Sequence, residues 1–298
     1  MKLIALPGDG LKPIVSAIQQ AKTTVDLTIF RLDRAQVEKA LAGAVERGVR
    51  VRALIANTNS GGENRLRKLE QRLLEAGVTV ARSGDELIRY HGKLLVVDER
   101  LLFVLLFNYT SIDARSRSFG VLTARRQDVA EGVRVFEADL TRQSVTPPVR
   151  QLVTSPETAR KRLSDFLARA RKELLIYDPK VSDPAMIRVL EERVRKGVAV
   201  RIIGGVGKRA RLISAEKLPN LRLHARVVIR DGRQAFLGSQ SLRAVELDAR
   251  REVGVFVSDP TVVRTLREVF EKDWSGTSAA KEKSDDREDA APREKATA

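Results

Sequence analysis

The sequence repeats itself, and the repeat limits the architecture more than any other feature. Residues 38–55 read EKALAGAVERGVRVRALI, and residues 187–204 read IRVLEERVRKGVAVRIIG. Each stretch is an apolar pattern at helical spacing, then basic residues, then a glycine, then an alternating strand. Gly48 and Gly197 fall where a helix would end, and glycine tolerates the left-handed backbone needed there. Val49, Val51 and Ala53 alternate with Arg50 and Arg52, which is the period of a strand. A chain that spells one helix–strand unit twice is expected to form two similar α/β halves.

Other segments pair in the same order. Helix candidate 11–23 precedes strand candidate 25–30, and helix candidate 156–171 precedes strand candidate 173–177. Ser155, Pro156 and Glu157 supply the second helix with an N-cap, a first-turn proline and an acidic first turn. Phe136-Glu137-Ala138-Asp139 is echoed by Phe270-Glu271-Lys272-Asp273. The chain therefore divides into a first repeat over 1–145, a linker over 146–155 with Pro147 and Pro148, and a second repeat over 156–274. A tail over 275–298 has no Val, Ile, Leu, Met or aromatic residue and is expected to be disordered. The first half has an extra segment near 57–76, with a helix carrying Leu66, Leu69 and Leu73. The second half shortens it to Gly204-Gly205-Val206-Gly207-Lys208-Arg209, which reads as a plain basic loop and not a phosphate-binding P-loop.

Composition removes several kinds of chemistry. The 298 residues include no Cys and two His. That excludes a disulfide framework, a thiolate nucleophile, a zinc ribbon and a three-His metal site. The longest apolar run, Leu101 to Phe107, is far shorter than the roughly 20 residues that span a bilayer. No secretory signal is read at the N-terminus, so the expected location is the cytoplasm, with peripheral membrane contact allowed. The formal charge is +16, and the tail does not supply it, since 275–298 hold five basic and six acidic residues. A polyanionic partner, nucleic acid or an anionic membrane surface, is one reading of that surplus; a solvated basic surface is the other.

Both histidines fall at matching places. His91 opens His91-Gly92-Lys93-Leu94-Leu95-Val96-Val97-Asp98, and His224 opens His224-Ala225-Arg226-Val227-Val228-Ile229-Arg230-Asp231. Each has a cation two residues on and an Asp seven residues on. In a strand, residues two apart share a face, so each His and its cation are expected to project side by side.

This doubled pattern, HxKx4D followed by HxRx4D, resembles the phospholipase D superfamily over about 1–274, and in Phe236-Leu237-Gly238-Ser239-Gln240 the bacterial phospholipase D and cardiolipin synthase-like group. The resemblance implies two α/β halves packed about a pseudo-two-fold axis, with the active site between them. One chain then completes the site, so a monomer is expected. It also implies metal-independent phosphodiester chemistry with no cofactor. One imidazole would attack phosphorus to give a phosphohistidine, and the other would protonate the leaving oxygen. His91 is the implied nucleophile and His224 the acid, with Glu252 as the carboxylate that steadies a protonated His224. Lys93 and Arg226 would hold the phosphate oxygens, joined by Asn108 and Ser239. Asp98 and Asp231 are assigned support. Ser118 stands where the first half would carry its own Glu. Asp113-Ala114-Arg115 and Asp248-Ala249-Arg250 echo one another and read as ion pairs or as cleft-wall residues, with the structural reading preferred.

Three functions follow from the resemblance. The first is hydrolysis or transfer of the phosphatidyl group of phospholipids at an anionic membrane surface. The second is an endonuclease on DNA or RNA, which the basic charge favours. The third is a catalytically weak phosphate-binding module.

Overall fold

The computed structural model describes residues 1–59, 61–145 and 150–280. The first half runs β1 (Lys2–Leu6), α1 (Lys12–Gln20), β2 (Thr24–Ile29), α2 (Ala35–Glu46), β3 (Arg50–Ile55), α3 (Glu63–Glu75) and β4 (Thr79–Arg82). It continues with β5 (Arg89–Tyr90), β6 (Leu94–Val97), β7 (Leu101–Leu105), α4 (Ser111–Ala114), β8 (Ser118–Thr123) and α5 (Arg126–Leu140). The second half runs β9 (Leu152–Ser155), α6 (Ala159–Ala168), β10 (Glu173–Val181), α7 (Pro184–Arg195) and β11 (Ala199–Val206). It ends with β12 (Val227–Arg230), β13 (Gln234–Gly238), α8 (Ala244–Asp248), β14 (Arg250–Val257) and α9 (Pro260–Ser275).

The strand order is repeated. One sheet is ordered β1-β8-β7-β6-β2-β3-β4, and the other β11-β10-β12-β13-β14, with β9 on β14. Read from the same edge, β9-β14-β13-β12-β10-β11 copies β1-β8-β7-β6-β2-β3. Within each copy one parallel pair, β2–β3 or β10–β11, is joined through a helix. That helix ends at Gly48 or Gly197, both with φ +80°. β4 extends the first sheet. β5 does something else: it leaves its own half and pairs in parallel with β14 of the second sheet.

The two sheets pack face to face. Leu94, Val96, Leu102 and Val104 enter a shared core with Leu175, Val227, Leu237 and Val255, closed by residues of α5 and α9. The alternate residues Leu95, Val97, Phe103 and Leu105 face the other way, into the core under α1, α2 and α3. Strands buried on both faces read as continuous apolar runs, which explains Leu101 to Phe107.

Four sequence readings are corrected. Residues 152–155, expected as linker, form β9, because Leu152 and Val153 are buried and the backbone pairs with β14. The helix expected from 156 starts at Ala159, with Thr158 at the N-cap. Pro147 and Pro148 lie outside the described residues. Residues 275–280, expected to open the disordered tail, are ordered instead, since Ser275 still belongs to α9 and Thr277 is buried; residues 281–298 lie outside the described residues. Gly204 to Val206, read as loop, complete β11, where the Gly204 backbone passes close to Asp178 O.

Asp98 and Asp231 sit at the far ends of β6 and β12 from the histidines, in left-handed conformation with φ 53° and 54°. Asp98 accepts the backbone N–H groups of Lys22, Thr23 and Thr24. Asp231 accepts those of Arg171, Lys172 and Glu173. Each carboxylate thus ties a hairpin to the start of the neighbouring strand.

Candidate active site

His91 and His224 precede β6 and β12 and lie outside both strands. Their backbones are held by the opposite half. His91 N–H donates to Arg251 O at 2.7 Å, and His224 N–H donates to Arg117 O at 3.0 Å. Register continues the exchange: Tyr90 pairs with Arg251, and Leu223 bridges to Arg117. Each histidine motif is therefore stitched to the last strand of the other repeat.

That stitching corrects one assignment. Glu252 follows Arg251, so it meets His91 and not His224. Its Oε2 stands 2.8 Å from His91 Nδ1. The equivalent position beside His224 is Ser118, whose Oγ reaches only the backbone and donates to His224 O at 2.7 Å. Asp113 serves the ring instead, with Oδ1 2.6 Å from His224 Nδ1.

Sequence reading missed Asp113 because its local echo, Asp248, misleads. Asp248 pairs with Arg160 at 2.7 Å. The fold counterpart of Asp113 is Glu246. Asp113 accepts the backbone N–H of Asn108, and Glu246 that of Ser241, each five residues back. Counting from the Asn108 and Ser241 places would have found it.

A further echo acquires meaning here. Asp139 of α5 accepts the Tyr90 hydroxyl at 2.7 Å and stands 2.9 Å from Arg251 Nε. Asp273 of α9 accepts the Tyr177 hydroxyl at 2.6 Å and Arg117 Nε at 2.7 Å. The repeated Phe-Glu-x-Asp thus anchors the two arginines whose carbonyls receive the histidine N–H groups.

The site is dry. His91 and His224 are each 7% exposed and Lys93 1%. Burial, then the nearby Lys93, pushes the His91 imidazole well below its ordinary pKa. Burial also pushes His224 down to about 4, although Asp113 opposes it. Burial works against the ionised form of Asp113, yet His224, Asn108 and Thr110 hold its carboxyl well below the usual range. Burial lowers the Lys93 ammonium to about 7. It raises Glu252, against the pull of Lys93. Lys93 Nζ donates to His91 O at 2.8 Å and lies 5.6 Å from the Phe30 ring centre, while Phe30 packs edge-on to His91 at 4.6 Å.

A family model described as "Cardiolipin synthase, PLD-like domain" matches residues 14–138 and 163–274. The chain belongs to the phospholipase D superfamily. Among solved structures, this phospholipase D-like fold resembles the polyphosphate kinase of Porphyromonas gingivalis, with TM-score 0.74 and 20% identity over 91% of this chain. It covers 49% of that kinase, about half its length. It also resembles the phosphatidylserine synthase of Haemophilus influenzae Rd KW20, with TM-score 0.66 and 12% identity over 92% of this chain and 85% of that one. No curated protein sequence matches the chain.

Beside the two histidines, Arg226 has donors to spare. Its Nε and Nη1 are buried without a hydrogen-bond partner among the described residues. The other two expected phosphate ligands have work elsewhere. Asn108 Nδ2 donates to Asp113 at 2.7 Å. Ser239 Oγ accepts the Val253 N–H at 3.1 Å and stands beside Glu252. Both therefore brace the carboxylates that hold the histidines, because a buried carboxylate needs donors around it. Among the described residues no group of three or more His, Asp or Glu is placed to hold a metal ion, and no helix is long and apolar enough to cross a membrane.

Proposed function

We propose that the chain is a phosphodiesterase or phosphotransferase working through a covalent phosphohistidine on His91. The observation that carries this reading is the crossed pair of carboxylates, Glu252 on His91 and Asp113 on His224. With Glu252 accepting the Nδ1 proton, His91 keeps its Nε2 lone pair for phosphorus. An ionised Asp113 favours the protonated form of His224, which then donates its Nε2 proton to the leaving oxygen. The P–O bond breaks as the P–N bond forms. Neutral His224 next removes a proton from water or an alcohol, whose oxygen displaces His91 from phosphorus and restores both histidines. Lys93 and Arg226 hold the non-bridging oxygens, and the anion they receive restores positive charge to the depressed Lys93 and His224.

For the substrate, the phosphatidyl group of a phospholipid is the first reading, supported by the description of the matching family model. The phosphodiester backbone of nucleic acid is the second, favoured by the arginines that surround Glu246. Turnover of bis(4-nitrophenyl) phosphate, a fluorescent phospholipid and single-stranded DNA in EDTA tests both. Quenching in alkali is expected to trap phosphate on the peptide containing His91. Near-wild-type rates in His91→Ala or His224→Ala would overturn the mechanism, and an adduct on the His224 peptide would reverse the roles. Binding of all three without turnover would leave the weak phosphate-binding module.

A further inference from the structure

Charge around the site is unbalanced, on one side only. Glu246 is buried at the start of α8. Three guanidinium groups converge on it: Arg243 Nη1 at 3.2 Å, Arg250 Nη1 at 3.3 Å and Arg226 Nε at 3.9 Å. Glu252 also acts on Arg226 and Arg250, so two carboxylates face these three guanidinium groups together with Arg89 and Lys93. Arg250 also lies opposite Arg89 in the β14–β5 register. Like charges directly opposite weaken a strand pair. Arg250 Nε is buried with no hydrogen-bond partner among the described residues, as are Nε and Nη1 of Arg226. Removing guanidinium groups from water without an equal number of anions is costly.

The fold does not demand this cluster. Arg251 and Arg117 occupy matching places, each receiving a histidine N–H. The residue before Arg251 is Arg250, whereas the residue before Arg117 is Ser116. On that side Asp113 faces Arg222 and His224. The cluster also adjoins the chemistry, because Arg250 acts on the charge state of His91 together with Lys93 and Arg226.

One phosphodiester brings one negative charge, and Lys93 with Arg226 suffices to hold it. Arg89, Arg243 and Arg250 remain. A head group ending in an ammonium would be repelled by them, while a strand of phosphodiesters supplies a second anion at a fixed separation from the first. Guanidinium forks match phosphate oxygens, and contacts of this kind position a nucleic acid without reading its bases. That suits a chain with only 4% aromatic residues.

We propose that Arg89, Arg243 and Arg250 form a second phosphate subsite, which holds the phosphate neighbouring the scissile one in a nucleic-acid strand. The subsite rests on the phosphodiester chemistry proposed above for the same cleft. Its test reads binding, so that turnover is not needed. Calorimetry on the His91→Ala protein compares thymidine dinucleotides that differ only by a terminal phosphate, at the 5′ or the 3′ end. One phosphorylated form is expected to bind at least ~10-fold more tightly than the unphosphorylated one. Adding Arg89→Gln or Arg250→Gln is expected to remove most of that advantage, while Arg65→Gln, on exposed α3, keeps it. Because Arg250 is largely buried, the more accessible Arg89→Gln and Arg243→Gln keep the test valid if Arg250→Gln does not fold. Equal affinities for all three dinucleotides, or an advantage that survives in the Arg89 and Arg243 variants, would overturn the subsite. So would arginine-dependent binding to phosphatidylglycerol vesicles with no binding to the dinucleotides. A retained phosphate preference in a wild-type protein that hydrolyses no phosphodiester would support the subsite and sink the two-histidine mechanism alone.

Discussion

Lys93→Met is expected to stabilise the protein while removing its activity. Burial takes the Lys93 ammonium from 10.5 down to about 7. At ~1.36 kcal/mol per tenfold change in proton affinity, that is about 5 kcal/mol against the charged form. Methionine keeps the length of the side chain and drops the charge. It also loses the bond to His91 O and the contact with Phe30, each worth about 1 kcal/mol. The net gain at neutral pH is then ~2–4 kcal/mol, read as a higher urea midpoint at unchanged slope. The pH dependence carries a definite sign. The folded pKa lies below the unfolded one, so between about 7 and 10.5 the unfolded chain holds more protons. Wild-type stability therefore rises with pH across that window. The advantage of Met is nearly full at pH 7 and below, and it closes towards 10.5. Urea unfolding of both proteins at several pH values from about 6 to 10 measures the gap. A Met variant less stable than wild type at neutral pH, or a gap that stays constant through the window, would refute the reasoning.

Three more outcomes follow. Asp113→Asn keeps the shape beside His224 but removes the charge, and steady-state kinetics are expected to show kcat lower by ~10²–10⁴ with KM little changed. Asp273→Ala leaves Arg117 and the Tyr177 hydroxyl buried without their shared partner, and unfolding is expected to show a loss of ~3–5 kcal/mol. Asp98→Ala frees three backbone N–H groups at the end of a sheet and is expected to lower the unfolding free energy, measured with urea, by ~2–4 kcal/mol. Burial opposes the ionised Asp98, but these N–H donors win and depress its carboxyl below 3.8. Its contribution is accordingly present above that pH and lost as the pH falls through the folded value.

Local patterns carried the repeat, the glycine stops after α2 and α7, and the insertion at α3. They also carried both histidines with their cations, since all of these depend on neighbours in sequence. What the patterns could not carry was pairing between halves. β5 has two residues, too short for any periodicity, yet its place on β14 decides that Glu252 meets His91. Asp113 was hidden because the second half is one residue longer between the Ser241 and Glu252 places than the first is between Asn108 and Ser118. The nearest textual echo therefore pointed to Asp248. β9 was lost among linker residues because four residues next to a proline give no helical or strand repeat. Its evidence is the edge of β14 that it covers.

The exchange of carboxylates between halves has a consequence for division of labour. If two identical copies met in this way, each histidine would receive the same carboxylate from its neighbour, and the two rings could not be told apart. Joining the copies in one chain lifts that equality. One crossing contact can keep a long glutamate while the other shrinks to Ser118 and leaves its ring to an aspartate on α4. Each imidazole then has its own electrostatic setting, and the two proposed roles, attack and proton donation, can be tuned separately. Both rings depend on contacts made across the interface, so a movement that parted the halves would misalign them together.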